Sequence, residues 1–295
     1  MNKQRRADLL LVLVTGFWGM SYFLTDLCMT EMPPLGLNAF RFLVGFGVLV
    51  LCCLPRMRGI SRATLKFSVI VGLSLAATYV FYSYGLLYTS ISNAGFICAL
   101  PVITTPILEF LITRRRPGRQ LLAALILCAV GMALLTLNDN FRPALGDILC
   151  FGVAVFYGVD LVITDRAVRR PEVDPLQMGI LQLGVVGVVM LILSLLLEEP
   201  RLPATPAVWG SALFLAVFCS GIAFMVQTVQ QQYTTASHVG LIFTLEPVFS
   251  AIVAFFLANE RLRPIGYVGA VLMLLSLVLM ELDIGSIKEK LKKTK

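Results

Sequence analysis

Ten long apolar segments constrain the fold of this chain more than any other feature. They lie near residues 8–28, 36–55, 66–87, 92–113, 119–137, 145–166, 175–197, 207–229, 235–257 and 264–283. Each is close to the roughly 20 residues that an α-helix needs to cross about 30 Å of hydrocarbon. Only 14% of the 295 residues are charged. The pattern predicts an all-α integral membrane protein with ten transmembrane helices.

The basic residues predict which way the helices cross. A cytoplasmic N-terminus would place on the inner side the basic clusters near residues 3–6, 56–66, 114–119 and 166–170, together with the lysines of the C-terminal tail. The outer side would carry only Arg142, Arg201, Arg261 and Arg263. Because positive charge accumulates on the cytoplasmic side, both termini are expected there. The net charge of +7 then favours the lipid bilayer as partner and gives no reason to expect nucleic acid.

The chain contains two related halves. DLLLVLVTGFWGMSYFLTD from Asp8 is matched by DILCFGVAVFYGVDLVITD from Asp147, at an offset of 139. YTSISNAGFICAL from Tyr88 is matched by YTTASHVGLIFTL from Tyr233, at an offset of 145, and the offset between the second and seventh segments is 141. The sequence therefore predicts two repeats, residues 1–143 with helices 1–5 and residues 144–295 with helices 6–10 and a basic cytoplasmic tail.

The odd number of segments in each half has a geometric consequence. With five crossings per repeat, the second copy must enter the membrane in the opposite sense, so the two repeats are inverted. Inverted repeats place equivalent residues on opposite sides of the membrane midplane, with a ligand site at the repeat interface and alternating access to the two sides.

A few charged groups lie inside the apolar segments, where each costs several kcal/mol. Glu246 lies near the middle of the ninth segment and precedes Pro247, and the repeat equivalent of Glu246 is Pro101 in the fourth segment. We expect both prolines to break or hinge their helices. Glu246 is a candidate for solute binding or ion coupling, or a structural carboxylate. Asp160, in the position of Ser21, would recognise a cationic group or pair with Arg41 or the backbone.

Arg41 and His238 are the two remaining ionisable candidates. Arg41 in the second segment has Gln182 as its repeat equivalent, and pairing with Asp26 or another acid is favoured over direct solute contact. His238 begins the ninth segment opposite Asn93 in the repeat, and both are candidates for solute binding. His238 could respond to pH, although a single histidine at a helix end is more often solvated or hydrogen-bonded.

Aromatic and amide side chains complete the candidate site. Trp18 is matched by Tyr157, and Tyr82 is matched by Gln227, so each half offers bulky amphipathic groups at comparable depth. These residues could line a cavity for an organic solute. Tyr79, Tyr84 and Tyr88 are instead expected to serve packing.

Several chemistries find no support in the sequence. The seven cysteines and one histidine form no C-x-x-C or other ligand pattern, so neither a metal nor a disulfide framework is expected. No phosphate-binding G-x-x-x-x-G-K-[ST] segment and no hydrolase motif occurs, and no cofactor is expected. A membrane-embedded enzyme or a receptor without transport activity is therefore a weaker alternative.

The order of several short motifs carries a family resemblance. FWG in the first segment, FR at the start of the second, LEP in the ninth and NER after it resemble the EamA family of the drug/metabolite transporter (DMT) superfamily. The sequence departs from the family where many members have Gly-Glu after the fourth helix, because Arg114, Arg115 and Arg116 stand there. The resemblance implies a ten-helix bundle with a central cavity.

The resemblance also implies a function. We expect a secondary transporter of the bacterial plasma membrane that exports a small organic metabolite, such as an amino acid, an amine or a drug-like compound. A nucleotide-sugar carrier of the same superfamily is the alternative within transport. Gly-rich outer faces would allow a homodimer.

Overall fold

A computed structural model describes residues 3–88, 100–114, 118–136, 145–257 and 263–281, and these residues form helices without any strand. The helices of the first half are α1 (Lys3–Met29), α2 (Pro34–Cys52), α3 (Arg62–Leu87), α4 (Pro101–Thr113) and α5 (Arg119–Thr136), with a 3₁₀ turn at Leu54–Met57. Those of the second half are α6 (Leu145–Val168), α7 (Pro175–Leu197), α8 (Pro206–Phe214), a π-helix (Leu215–Ile222), α9 (Ala223–Gln231), α10 (Ala236–Phe243), α11 (Glu246–Leu257) and α12 (Pro264–Glu281).

The helices have the length and apolar surface of membrane spans. Within the described ranges, seven helical stretches are long and apolar enough to cross a membrane, and three shorter apolar helices lie at Pro101–Ile112, Arg119–Leu135 and Pro264–Met280. Large apolar side chains such as Leu51, Leu196 and Phe256 are exposed, as lipid-facing residues must be. The protein is a multi-pass membrane protein, while ten crossings and inverted topology stay predictions.

Local sequence explains where helices begin. Hydroxyl or carboxylate side chains accept hydrogen bonds from backbone N–H groups in the first turns of α3, α7, α8 and α10, and these capping residues are Ser61, Asp174, Thr205 and Thr235. Such caps satisfy N–H groups that have no partner inside the helix. Proline is the first residue of α2, α4, α7, α8 and α12, where its missing N–H costs nothing.

The two halves of the chain are interleaved. Each helix of the first half packs on a helix of the second half, with α5 against α12, α3 against α6, α2 against α7, α1 against α11 and α4 against α10. Glycines permit the closest approach, because a Cβ added at Gly131 or Gly269 would collide with the backbone of the facing helix. The interface between the halves is therefore the core of the protein.

Two helical rods of the second half are irregular near their centres. The π-helix interrupts the rod between α8 and α9, and α10 ends at Phe243 before α11 begins at Glu246. Pro247 is the second residue of α11 and Pro101 is the first of α4. Both prolines therefore lie in the first turn of a helix, where proline is tolerated.

Polar contacts define two ends of the bundle. The end that carries Arg56, Arg58, Arg62, Arg169 and Arg170 is called the basic end below. The opposite end carries Glu31, Glu198 and Thr205. At the basic end the side-chain amide of Gln177 donates to the carbonyls of Arg56 and Arg58. At the opposite end the Glu198 carboxylate accepts from the backbone N–H groups of Leu35 and Gly36.

Candidate functional site

A polar cavity lies where α1, α2, α3, α6, α9 and α11 meet. The cavity has a volume of about 110 Å³, which is large enough for several water molecules or a small organic group. Five residues singled out from the sequence line it, namely Trp18, Arg41, Tyr82, Tyr157 and Glu246. The roles of these five residues in binding or coupling stay predictions.

Three further candidates do not line this cavity in the structure. Asp160 and Gln227 lie just beyond it, and His238 lies near the basic end. A fourth candidate, Asn93, falls outside the described residues. The Tyr157 hydroxyl lies 3.5 Å from Oε1 of Gln227, a long hydrogen bond that joins the cavity wall to the amide.

Arg41 is the one charged residue that α2 contributes to the cavity wall. Only 4% of its surface is exposed. Its Nε donates to the hydroxyl of Ser220 at 2.6 Å, and the guanidinium carbon lies 5.6 Å from the ring centroid of Tyr79. In the described part of the chain no carboxylate lies within 4.0 Å of Arg41. The expected pairing with Asp26 is wrong, because Asp26 is exposed and forms no such contact.

Glu246 places a carboxylate on the same cavity. It begins α11 directly after the interruption that follows Phe243, so the helical hydrogen bonds are not continuous through this point. The phenol of Tyr22 donates a hydrogen bond to its carboxylate. Glu246 and Arg41 are not joined by an ion pair, so the cavity presents one acid and one base at separate points of its wall.

Aromatic rings form much of the remaining wall. The ring of Trp18 meets Phe243 and Phe224 with centroids 4.7 and 5.1 Å apart. It also meets its repeat equivalent Tyr157 edge-on at 6.4 Å. The indole Nε1 of Trp18 donates to the carbonyl of Cys219 at 2.8 Å. These contacts fix the indole plane, so the cavity has a rigid aromatic face.

The π-helix supplies the groups that orient two cavity residues. Cys219 accepts from Trp18 through its carbonyl, and Ser220 accepts from Arg41 through its hydroxyl. The π-helix lies against α2, where a Cβ on Gly45 would collide with the carbonyl of Ala216. Single π-turns inside α-helices occur often at functional sites. The apolar stretch LAVFCSGI contains no signal from which this turn could have been predicted.

Other cavity residues could have been found from helical spacing. Ser21, Tyr22 and Thr25 follow Trp18 at three, four and seven residues on α1. Leu75, Thr78, Tyr79 and Tyr82 repeat this spacing on α3, and all of them line the cavity. Residues at i, i+3, i+4 and i+7 share one helix face. Tyr79, expected to serve packing, therefore contributes to the wall.

Near the basic end, contacts between the halves join α1 and α4 to α10. An Asp8 carboxylate oxygen lies 3.4 Å from Nε2 of His238, and both residues are buried. The backbone N–H and hydroxyl of Ser237 donate to Glu109. His238 thus lies at the junction of α1 and α10.

Within the described residues, no group of three or more His, Cys, Asp and Glu side chains lies close enough together to hold a metal ion.

An all-helical multi-pass bundle around a polar cavity is the architecture of a membrane transporter. The model of the EamA-like transporter family matches the chain twice, over residues 5–137 and 144–282. The protein therefore belongs to this family of the DMT superfamily, which points to a non-enzymatic transporter.

Curated relatives and a solved structure agree with this assignment. An uncharacterized transporter of Archaeoglobus fulgidus is 27% identical over 282 residues, covering 96% of this chain and 88% of the relative. The uncharacterized transporter YyaM of Bacillus subtilis is 23% identical over 275 residues, covering 89% of each chain. One crystal structure has the same fold, with a TM-score of 0.80, 19% identity, and 94% of this chain and 96% of that chain covered.

Proposed function

We propose that the protein is a secondary transporter that exports a small organic metabolite across the bacterial plasma membrane by alternating access. Its substrate carries both an anionic group and a cationic or strongly polar group beside an apolar or aromatic part. Amino acids and related zwitterions fit this description. The orientation follows the positive-inside rule, with both termini in the cytoplasm.

The observation that supports this substrate class is the state of Arg41. Its guanidinium is buried at the cavity wall and has one hydrogen bond to a hydroxyl, but no carboxylate beside it in the described residues. A buried charge without a counter-charge is costly. A planar guanidinium binds a carboxylate through two parallel hydrogen bonds, so a carboxylate on the solute would supply the missing partner.

Glu246 and the aromatic face complete the recognition of such a solute. The Glu246 carboxylate would accept hydrogen bonds from an amine, while Trp18 and Tyr157 would contact an apolar portion. A nucleotide sugar is less well matched, because its two phosphates would meet the Glu246 carboxylate and Arg41 is the only cation on the described cavity wall.

Two successive experiments test this function. Metabolite profiling of cells and medium, with and without the protein, would identify solutes that accumulate outside when it is present. Flux of the identified solute would then be measured in proteoliposomes under imposed solute and ion gradients. Absence of flux under every gradient would contradict the transporter assignment.

Replacing Arg41 with Gln tests the binding role directly. Gln stands at the equivalent position 182, so the helix position accepts it. Loss of a charge-assisted hydrogen bond worth about 1.5–3 kcal/mol should weaken solute affinity about 10–100-fold. Arg170→Gln is the matched control, because that exposed arginine lies over Phe67 at the basic end. Equal affinity in Arg41→Gln and wild type would remove Arg41 from the site.

A further inference from the structure

A polar stripe on α6 leaves the cavity and runs toward the basic end. Val153 and Tyr157 line the cavity. Asp160 and Thr164 continue the same helix face at spacings of three and four residues. Only 2% of the surface of Asp160 is exposed, and Thr164 is equally buried. The stripe therefore passes from the cavity into a closed part of the bundle.

A second stripe on α9 meets the first. Phe224 lines the cavity, and Gln227 and Gln231 follow it at three and seven residues on the same helix. Two contacts align the helices, since Tyr157 meets Gln227 and the side-chain amide of Gln231 donates to the carbonyl of Leu161 at 2.5 Å. We call this closed contact between α6 and α9 the seam.

Three oxygen atoms along the seam are buried without a hydrogen-bond partner in the described part of the protein. They are Oδ1 of Asp160, Oγ1 of Thr164 and Oε1 of Gln231. The Gln231 amide binds the Leu161 carbonyl, so Oε1 lies beside the helix turn that carries Asp160 and Thr164. Buried polar atoms normally have partners. A carboxylate and a hydroxyl one turn apart on α6, and an amide oxygen on the facing helix α9, thus have unused lone pairs.

Among the described residues, no basic side chain forms an ion pair with Asp160. Tyr157 on α6 and Tyr79 on α3 lie within electrostatic reach of Asp160, and neither is a cation. Glu109 on α4 binds Ser237, while His238 on α10 pairs with Asp8. Nearer the basic end on α6, Arg169 pairs with Asp165.

An ionised carboxylate without a cation is too costly to bury in the middle of a membrane. We infer that Asp160, Thr164 and Gln231 form a binding site for a monovalent cation, a proton or a sodium ion, separate from the solute cavity. A bound proton makes Asp160 a hydrogen-bond donor, which the lone pairs of Gln231 Oε1 or Thr164 Oγ1 accept. A sodium ion instead takes oxygen ligands from all three side chains, as hard cations prefer. Either occupant neutralises the carboxylate. The sodium ion uses all three oxygens, whereas the proton supplies a hydrogen bond to one of them. The role of this cation in driving transport rests on the function proposed above, whereas cation binding itself does not.

Thermal unfolding of the purified full chain in detergent tests the site without any solute. The melting temperature would be measured from pH 5.5 to 8.5, in NaCl or in N-methyl-D-glucamine chloride of equal ionic strength. Binding to the folded state raises this temperature by about 3 °C when the cation exceeds its dissociation constant tenfold. A sodium site responds to NaCl at constant pH, and a proton site responds only to acidification.

Asp160→Asn should abolish the response, since the amide imitates the neutral carboxyl group. Thr164→Val should weaken a sodium response and spare a proton response. Asp165→Asn, on the same helix, is the matched control and should respond like wild type. Identical responses in wild type and Asp160→Asn, or no response in wild type, would overturn the proposal.

Chemical labelling of the wild-type chain tests the cation site without any variant, so the result does not depend on whether the variants fold. Dicyclohexylcarbodiimide reacts with protonated buried carboxyl groups, and mass spectrometry of peptides would report its attachment to Asp160. The labelled fraction should fall as the pH rises or, for a sodium site, when NaCl is added at constant pH. Labelling that is absent or insensitive to both would count against a cation at Asp160.

Discussion

The cavity wall on α1 and the seam on α6 are built from equivalent residues in different surroundings. Trp18, Ser21 and Thr25 line the cavity. At an offset of 139 they correspond to Tyr157, Asp160 and Thr164, of which the last two are buried in the seam.

The same relation joins α3 to α9. Tyr79 and Tyr82 line the cavity, and at an offset of 145 they correspond to Phe224 and Gln227. The substitution of Asp160 for Ser21 places a charge in one of the two repeats alone.

The largest expected effect comes from Glu246→Gln, which changes the cavity and leaves the seam intact. Solute affinity should fall about 10–100-fold, because a charge-assisted contact to the solute amine is lost. Competition binding with the solute identified by metabolite profiling measures this. The melting temperature should still respond to the cation as in wild type, and loss of that response would show that the two regions are not separate sites.

Ser220→Ala should also weaken solute binding in the cavity, with a smaller effect than Glu246→Gln. It removes the acceptor of the Arg41 Nε hydrogen bond and leaves a buried donor unsatisfied at a cost of 1–3 kcal/mol. Solute affinity should fall about 10-fold. Ser220→Thr keeps a hydroxyl and should restore most of the affinity. A failure of this rescue would mean that Ser220 serves packing and does not orient the guanidinium.

Thr164 in the seam and its repeat equivalent Thr25 in the cavity wall should affect thermal stability differently. In sodium-free buffer at pH 8.5, Thr164→Val removes a buried hydroxyl that has no hydrogen-bond partner in the described residues. This should raise the melting temperature by about 2 °C. Thr25→Val makes the same chemical change in the cavity wall and should leave the temperature within about 1 °C of wild type. Equal shifts would contradict the different surroundings assigned to the two stripes.

The smallest effect concerns Glu31, at the opposite end. Hydrogen bonds from the hydroxyl of Thr205 and the backbone N–H of Ala204 lower the pKa of Glu31. This stabilisation is fully present above the unfolded pKa, about 4.3, and is lost as the pH falls through the lower folded value. Glu31→Gln should therefore change the melting temperature by at most about 2 °C, by the same amount at every pH from 6 to 8. If the melting-temperature difference between wild type and Glu31→Gln varied with pH from 6 to 8, Glu31 would ionise in this range, contrary to its lowered pKa.

The helical character of the chain was predictable because hydrocarbon allows few alternatives to helices. The eighth and ninth segments, near 207–229 and 235–257, mark two helical rods well. Hydropathy does not reveal the π-helix in the first rod, since an extra residue in a turn leaves the apolar composition unchanged. The interruption before Glu246 was suggested by Pro247.

Site residues were predictable where they are chemically conspicuous. Arg41, Glu246 and Trp18 stand out as charged or aromatic groups in apolar segments. Ser220 does not, because its part depends on a contact between segments 179 residues apart in the chain. The absence of an acid beside Arg41 was also invisible, since the sequence shows which acids exist and not which of them reach the guanidinium.

The most direct test of the account compares two modes of transport in proteoliposomes containing Asp160→Asn. Solute exchange at equal concentrations on both sides needs the solute cavity alone, whereas accumulation against a solute gradient needs a coupled cation. Asp160→Asn should retain exchange at a rate within about threefold of wild type and lose accumulation driven by the proton or sodium gradient, whereas Glu246→Gln should lose both at low solute concentration. Accumulation at the wild-type level by Asp160→Asn would contradict the division between a cavity that binds the solute and a seam that binds the cation.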